Sequence, residues 1–233
     1  MDRIRLVLSD YDRTFTDETL VVAPGLPEAI SRLREKGVLF SIVSGRKFPF
    51  MLDFYHGMGG LVDSFVAENG CVGFAQGCRQ VICETGHRDE LLRALGEEAI
   101  PYDAGDVVIS VHRNYLPGVE QVLVRFPAYH VIRNVDSLML LPHGASKATG
   151  IRWLMDTYCV GTGEMACIGD AENDIDMRGL CTLMGAVANA LPAVKAESDY
   201  VCRHEFGAGL REFLEYIEGM QPGVPGEVSK TSI

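Results

Sequence analysis

The chain has 233 residues, 47% of them hydrophobic and 23% charged, with a formal net charge of −11. This suits a globular protein with a sizeable core, built as one large domain or as a core plus a smaller module. The negative field argues against nucleic acid or an anionic membrane as the main partner, and no apolar run reaches the roughly 20 residues of a membrane-spanning helix.

The N-terminus, "MDRIRLVLSD", has neither the h-region nor the cleavage site of a signal peptide, which predicts a cytoplasmic protein. Residues 4–9 are apolar and stop against a polar cluster, as a buried strand does. "LPEAISRLREKG" predicts a helix, apolar at 26, 29, 30 and 33 and closed by Gly37. "VLFSIVSGR" reads as a second strand, "FPFMLDFYHGMG" as a helix and "LVDSFVAENG" as a third strand. Between about 79 and 144 the rhythm changes. Here "RQVIC", "DVVISVH", "AYHVIRN" and "SLMLL" read as strands, and "RDELLRALGEEA" and "PGVEQVLVRF" as helices. The last two strands, 129–134 and 137–141, are close enough to predict a hairpin. The first rhythm then resumes, with "SKATGIRWLMDTY" helical, "MACIGD" a strand and "ENDIDMRGL" a short helix. "CTLMGAV" and "DYVC" are further strands, and "LPAVKAE" and "GLREFLEYIEG" further helices.

Strands alternating with helices predict an α/β fold whose parallel sheet is covered on both faces. The altered stretch predicts an inserted antiparallel α+β module, against the alternative of one continuous sheet. The expected division is a core at 1–78 and 145–218, an insertion at 79–144, and a flexible Pro/Gly/Ser-rich tail at 219–233. Seven cysteines without a C-x-x-C pair predict buried, reduced thiols. Trp153, at helical spacing with Ile151 and Leu154, predicts a core position.

In an open parallel sheet, ligands bind beyond the carboxyl ends of the strands. Here those ends carry Asp10 and Asp12, then Ser44-Gly45-Arg46, then Glu68-Asn69-Gly70, then Asp170 with Asn173 and Asp174 beyond. Converging Asp10, Asp12 and Asp170 would repel one another, and a hard divalent cation such as Mg²⁺ would relieve this. Such an ion commonly also holds a substrate phosphate, which Arg46 and Lys147 would help to neutralise. Either of these, taken alone, reads as a solvated surface charge. The chemistry this set suits is phosphoryl transfer. Asp10 would be the nucleophile forming an aspartyl-phosphate, and Asp12 the general acid and then base.

Together these residues resemble the haloacid dehalogenase superfamily of phosphatases. "DYDRT" is similar to its D-x-D-G-T motif, "SGR" to its second motif, "SK" at 146–147 to its helix-start lysine, and "GDAEND" to G-D-x-x-N-D. "AENG", "ANALPAVKAESDYV" and "FGAGLREFL" resemble the Cof-type branch, and the short insertion and "SKATGIRWL" look most like archaeal phosphoglycolate phosphatases. The resemblance implies a Rossmann-like core with an inserted α+β cap. It also implies a Mg²⁺-dependent phosphatase of a small phosphorylated metabolite, most of all phosphoglycolate. It makes Asp10, Asp12, Ser44 and Lys147 catalytic, and Ser44, Gly45, Arg46, Lys147 and Asn173 substrate-binding. Asp10, Asp12, Asp170 and Asp174 form its metal set, Asp12 through its backbone carbonyl.

One position departs from the pattern: Arg13 stands where the motif has glycine. It reads as a tolerated backbone variant or as an added cation at the site mouth. "TFTDETLVV" predicts a hairpin, a flap over the nucleophile in this family. His112, Arg113 and His143 read as exposed polar residues, with substrate contact as the alternative. A sucrose-phosphate-like phosphatase, a phosphomannomutase-like enzyme and a non-catalytic binding protein are the competing functions. A monomer and a homodimer fit the sequence equally.

Overall fold

The computed structural model describes residues 3–83, 86–134 and 137–221. The first run is β1 (Leu6–Asp10), α1 (Leu26–Glu35), β2 (Leu39–Val43), α2 (Phe48–Gly57), β3 (Ser64–Ala67), β4 (Val72–Ala75) and β5 (Cys78–Val81). Then come α3 (Arg88–Glu97), β6 (Tyr102–Ala104), β7 (Ile109–His112), α4 (Leu116–Leu123), β8 (Tyr129–Asn134) and β9 (Ser137–Pro142). The chain closes with α5 (Lys147–Tyr158), β10 (Met165–Gly169), β11 (Leu183–Ala186), α6 (Pro192–Glu197), β12 (Tyr200–Val201) and α7 (Phe206–Met220).

These strands make two sheets. The larger has eight strands in the order β12-β11-β10-β1-β2-β3-β4-β5, and the smaller four in the order β6-β7-β9-β8. From β12 to β3 every neighbouring pair is parallel, so those strands end along one edge. β1, in the middle, is buried throughout, which explains its unbroken apolar run. α1 covers the sheet with Leu26, Ala29, Ile30 and Leu33, the face its periodicity predicts, and Gly37 at φ +76° ends it. Trp153 packs on Gly73, where a Cβ would come within 2.3 Å of the indole.

The smaller sheet is antiparallel and has its own apolar cluster, in which Leu91, Leu95, Ile109, Val119, Val122 and Leu140 are fully or almost fully buried. The expected hairpin is there as β8 and β9, paired from Tyr129↔Pro142 to Asn134↔Ser137.

Two expectations change and a third gains detail. The strand expected at 79–83 as part of the insertion is β5, which pairs antiparallel with β4 on the large sheet. The short helix expected at "ENDIDMRGL" is present over Glu172–Leu180, in 3₁₀ form. Cys78 and Cys159 are exposed, whereas Cys71, Cys167, Cys181 and Cys202 are buried as expected. α7 runs to Met220, and residues 222–233 of the expected tail lie outside the described residues. Among the described residues no helix is long and apolar enough to cross a membrane.

Candidate active site

Asp10 closes β1, and the chain then turns tightly through Tyr11–Phe15. Arg13 takes a glycine-like conformation there, φ +60° and ψ 9°. The turn is pinned from outside: Asn189 Nδ2 donates to the Arg13 carbonyl at 2.8 Å, and Asn189 Oδ1 accepts from Phe206 N–H at 2.8 Å. The expected hairpin follows, with Thr16 bridged to Val22 and Asp17 N–H donating to the Val21 carbonyl at 3.1 Å.

A second device brings α5 to the same edge. After β3 the backbone passes through positive φ at Glu68, Asn69 and Gly70. At Gly70 (φ +103°) a Cβ would lie 1.8 Å from the Ser146 carbonyl oxygen, so only glycine lets the start of α5 approach this closely. At the start of that helix Ser146 N–H donates to Thr149 Oγ1 at 3.3 Å, and Lys147 is its first residue.

Lys147 is 1% exposed, which overturns the solvated-charge reading of it. Its Nζ donates to Asp10 Oδ1 at 2.5 Å and to Asp174 Oδ1 at 2.6 Å. A helix start disfavours a cation, so these two carboxylates are what keep the ammonium there. Asp174 Oδ2 also accepts from the N–H groups of Asp170 and Ala171, at 2.9 and 3.0 Å. Asp174 packs so closely on Gly169 that a Cβ there would come within 2.3 Å of its carboxyl carbon. Thr14 Oγ1 donates to Asp170 Oδ1 at 3.5 Å, and Arg13 Nε donates to Asp170 Oδ2 at 3.3 Å.

Oxygens of Asp10, Asp170 and Asp174 lie within 4.8 Å of one another. Burial, with Asp174 and Asp170 adding to it, pushes the Asp10 carboxyl well above the usual carboxylate range despite Lys147. Burial and Asp174 push Asp170 up to about 6, with Lys147 and Arg13 opposing. Burial alone would lower the Lys147 ammonium, but Asp10 and Asp174 outweigh it and hold its pKa above the ordinary lysine value. Crowded oxygens at this cost in charge suit a hard divalent cation, which would relieve the repulsion. The Asp12 carboxylate stands outside this group. Arg46 grips it from two nitrogens, Nε at 3.0 Å from Oδ2 and Nη2 at 2.6 Å from Oδ1, and Arg46 also lies over the Phe50 ring.

This edge opens into a cavity of about 930 Å³. From the large sheet it is lined by Asp10, Asp12, Arg13, Gly45, Arg46, Asp170 and Asn173, and from the small sheet by Tyr102, Asp103, Ser110 and His112 among others. Ser44 is fully buried and does not line the cavity; its Oγ accepts from Arg46 N–H at 3.0 Å. Asn173 Nδ2 donates to Asn69 Oδ1 at 3.2 Å. His143 is not on the wall and stacks with His130, ring centres 5.3 Å apart. Sequence reasoning missed Asn189, which pins the Arg13 turn, and the reach of Glu68 to the other sheet. The signal for Glu68 was present, a carboxylate directly after a buried strand.

The sequence model of the haloacid dehalogenase-like hydrolases matches residues 7–116 and 125–214. The chain belongs to that family. Similar relatives include a phosphoglycolate phosphatase of Sulfurisphaera tokodaii, 30% identical over 217 residues that cover 91% of this chain and 93% of the relative. A phosphoglycolate phosphatase of Metallosphaera sedula is 29% identical over 227 residues, covering 92% of this chain and 99% of the relative. A haloacid dehalogenase-like hydrolase from Bacteroides thetaiotaomicron has the same fold, with a TM-score of 0.80, 18% identity, and coverage of 92% of this chain and 100% of that one. In this haloacid dehalogenase-like hydrolase the motif residues Asp10, Lys147, Asp170 and Asp174 thus form one buried charge cluster, and Asp12 and Arg46 form a separate pair at its mouth.

Proposed function

We propose that this hydrolase is a Mg²⁺-dependent phosphatase of a small phosphorylated metabolite, phosphoglycolate before others, acting through an aspartyl-phosphate. The observation that carries the reading is the Asp10 carboxylate, 2.5 Å from a buried lysine, in a cluster of carboxylates at the floor of a cavity. Relatives named phosphoglycolate phosphatase across most of the chain support the substrate. Asp10 and Asp170, with the Asp12 carbonyl, would hold the ion, which when bound supplies charge neutralisation at the phosphoryl oxygens.

An Asp10 oxygen attacks phosphorus and the ester P–O bond breaks. Asp12 gives a proton to the departing alkoxide, then takes one from the water that cleaves the phospho-aspartate and releases phosphate. Lys147 neutralises charge on the phosphoryl group, and the Ser44 hydroxyl, whose oxygen already accepts from Arg46 N–H behind the cavity wall, would donate its proton to a phosphoryl oxygen that reaches it. Asp174 holds Lys147 and the Asp170 loop in place. Asp12 works only once Arg46 lets go of it, so Arg46 is assigned to gripping either Asp12 or substrate. The small sheet, within 79–144, would be the cap that closes the cavity.

Phosphate release from a panel of phosphorylated metabolites with Mg²⁺ tests this reading. Turnover of phosphoglycolate is expected, to be abolished by EDTA and by Asp10→Asn with the circular dichroism spectrum unchanged. No release from any member refutes it. The cavity volume favours a sugar phosphate as the second reading. Faster turnover of sugar phosphates in the same panel would select it.

A further inference from the structure

Arg13 keeps the backbone shape that glycine adopts readily and an L-residue adopts at a cost. A strained position that carries a charged side chain points to a role for that side chain. Its Nε donates to Asp170 at 3.3 Å and its Nη1 pairs with Glu18 in the hairpin after the first motif. The guanidinium is about half exposed and lines the cavity beside Asp10 and Asp12. Lys147 is already used by Asp10 and Asp174. With all three carboxylates ionised, Lys147 and Arg13 leave one net negative charge in the cluster, where glycine at 13 would leave two.

We propose that Arg13 is an exchangeable internal cation. It occupies Asp170 while no divalent ion does, yields that carboxylate to the ion, and then turns its guanidinium to a second anionic group on the substrate, a carboxylate. This rests on the reading above that Asp170 holds a divalent ion. The exchange needs only side-chain rotation, because Asn189 fixes the Arg13 carbonyl. The planar fork that now meets the acids at 170 and 18 fits a substrate carboxylate equally well. Arg13 is thus a competitor of the ion for Asp170 and a specificity-determining residue for the substrate.

Calorimetric titration with Mg²⁺ alone tests the first half. Arg13→Gln keeps the strained backbone and removes the charge, and should bind Mg²⁺ about tenfold more tightly than the native chain. Arg13→Lys keeps the charge and should stay within about twofold of it. Unchanged affinity in Arg13→Gln, or tightening confined to Arg13→Gly, would overturn the exchange, the second result assigning the effect to backbone relief. At saturating Mg²⁺, Arg13→Gln should raise KM for phosphoglycolate about tenfold and leave KM for p-nitrophenyl phosphate, which has no carboxylate, as it was. An equal change for both substrates, or none, overturns the specificity half. Should the native chain hydrolyse neither compound, the phosphatase reading fails, and the Mg²⁺ titration still decides whether Arg13 competes for Asp170.

Discussion

Asp170 shows at the scale of one residue how the site trades stability for charge. Its carboxyl is pushed from 3.8 up to about 6, so the folded chain holds this proton more tightly than the unfolded chain. Its contribution to stability is therefore full below about pH 4 and is lost as pH rises to about 6 and beyond. A shift of this size corresponds to about 3 kcal/mol by neutral pH. In EDTA at pH 7, Asp170→Asn should melt higher than the native chain, and the native chain should lose more stability between pH 4 and 6 than the variant, which keeps only the loss owed to Asp10. On the metal role proposed for Asp170, saturating Mg²⁺ should reverse the order, because the native chain gains the binding energy of the ion and the variant lacks one of its ligands. Thermal melts with and without metal check both, and a variant that melts lower in EDTA would show that the Asp170 carboxylate is not under electrostatic strain. None of this was legible in the sequence beyond the convergence of acids. Burial of Lys147 depends on Asp174, 27 residues away, and on the helix start that Gly70 admits.

Glu68 joins two elements that no local pattern connects. Its buried carboxylate accepts from the N–H groups of Asp106, Val107 and Val108 at 2.8, 2.7 and 2.9 Å, so the turn after β3 holds the loop before β7. The loop is shaped to receive it: a Cβ on Gly105 would come within 2.6 Å of the Glu68 carboxyl. Glu68→Ala leaves the buried Val107 and Val108 N–H groups, and the part-buried Asp106 N–H, without this partner, which should cost about 3 kcal/mol. Glu68→Gln keeps one acceptor and should cost less. Urea unfolding of the two variants checks the order, and equal stabilities would show that the carboxylate contributes nothing there. The elements themselves were legible where apolar runs were long and clearly ended, as in β1, α1, α5 and the β8–β9 hairpin. β5 was placed on the wrong sheet because its alternation suits either one, and pairing partners are chosen by tertiary packing. β6 has three residues, too short for any period to show.

At the scale of the whole molecule, the proton and phosphoryl chemistry assigned to Asp10, Asp12 and Lys147 belongs to the large sheet, while the far wall of the cavity is the small one. The second sheet has its own apolar cluster and reaches the first through Met139 and Leu141, which join the main core, through Glu68, and through the Lys47–Asp103 ion pair at the rim. A wall supplied separately can change what is bound without moving the reacting groups. His112, at the end of β7, is placed for that. Its Nδ1 accepts from Asn114 N–H at 3.3 Å, so the neutral ring carries its proton on Nε2, a donor on the cavity wall. His112→Ala should raise KM for the natural substrate about fivefold to tenfold, the worth of one hydrogen bond, with kcat within about twofold of native. Steady-state kinetics on phosphoglycolate and on a sugar phosphate check this. A fall in kcat as large as the rise in KM would place His112 in the chemical step, and would break the division of work between the two sheets.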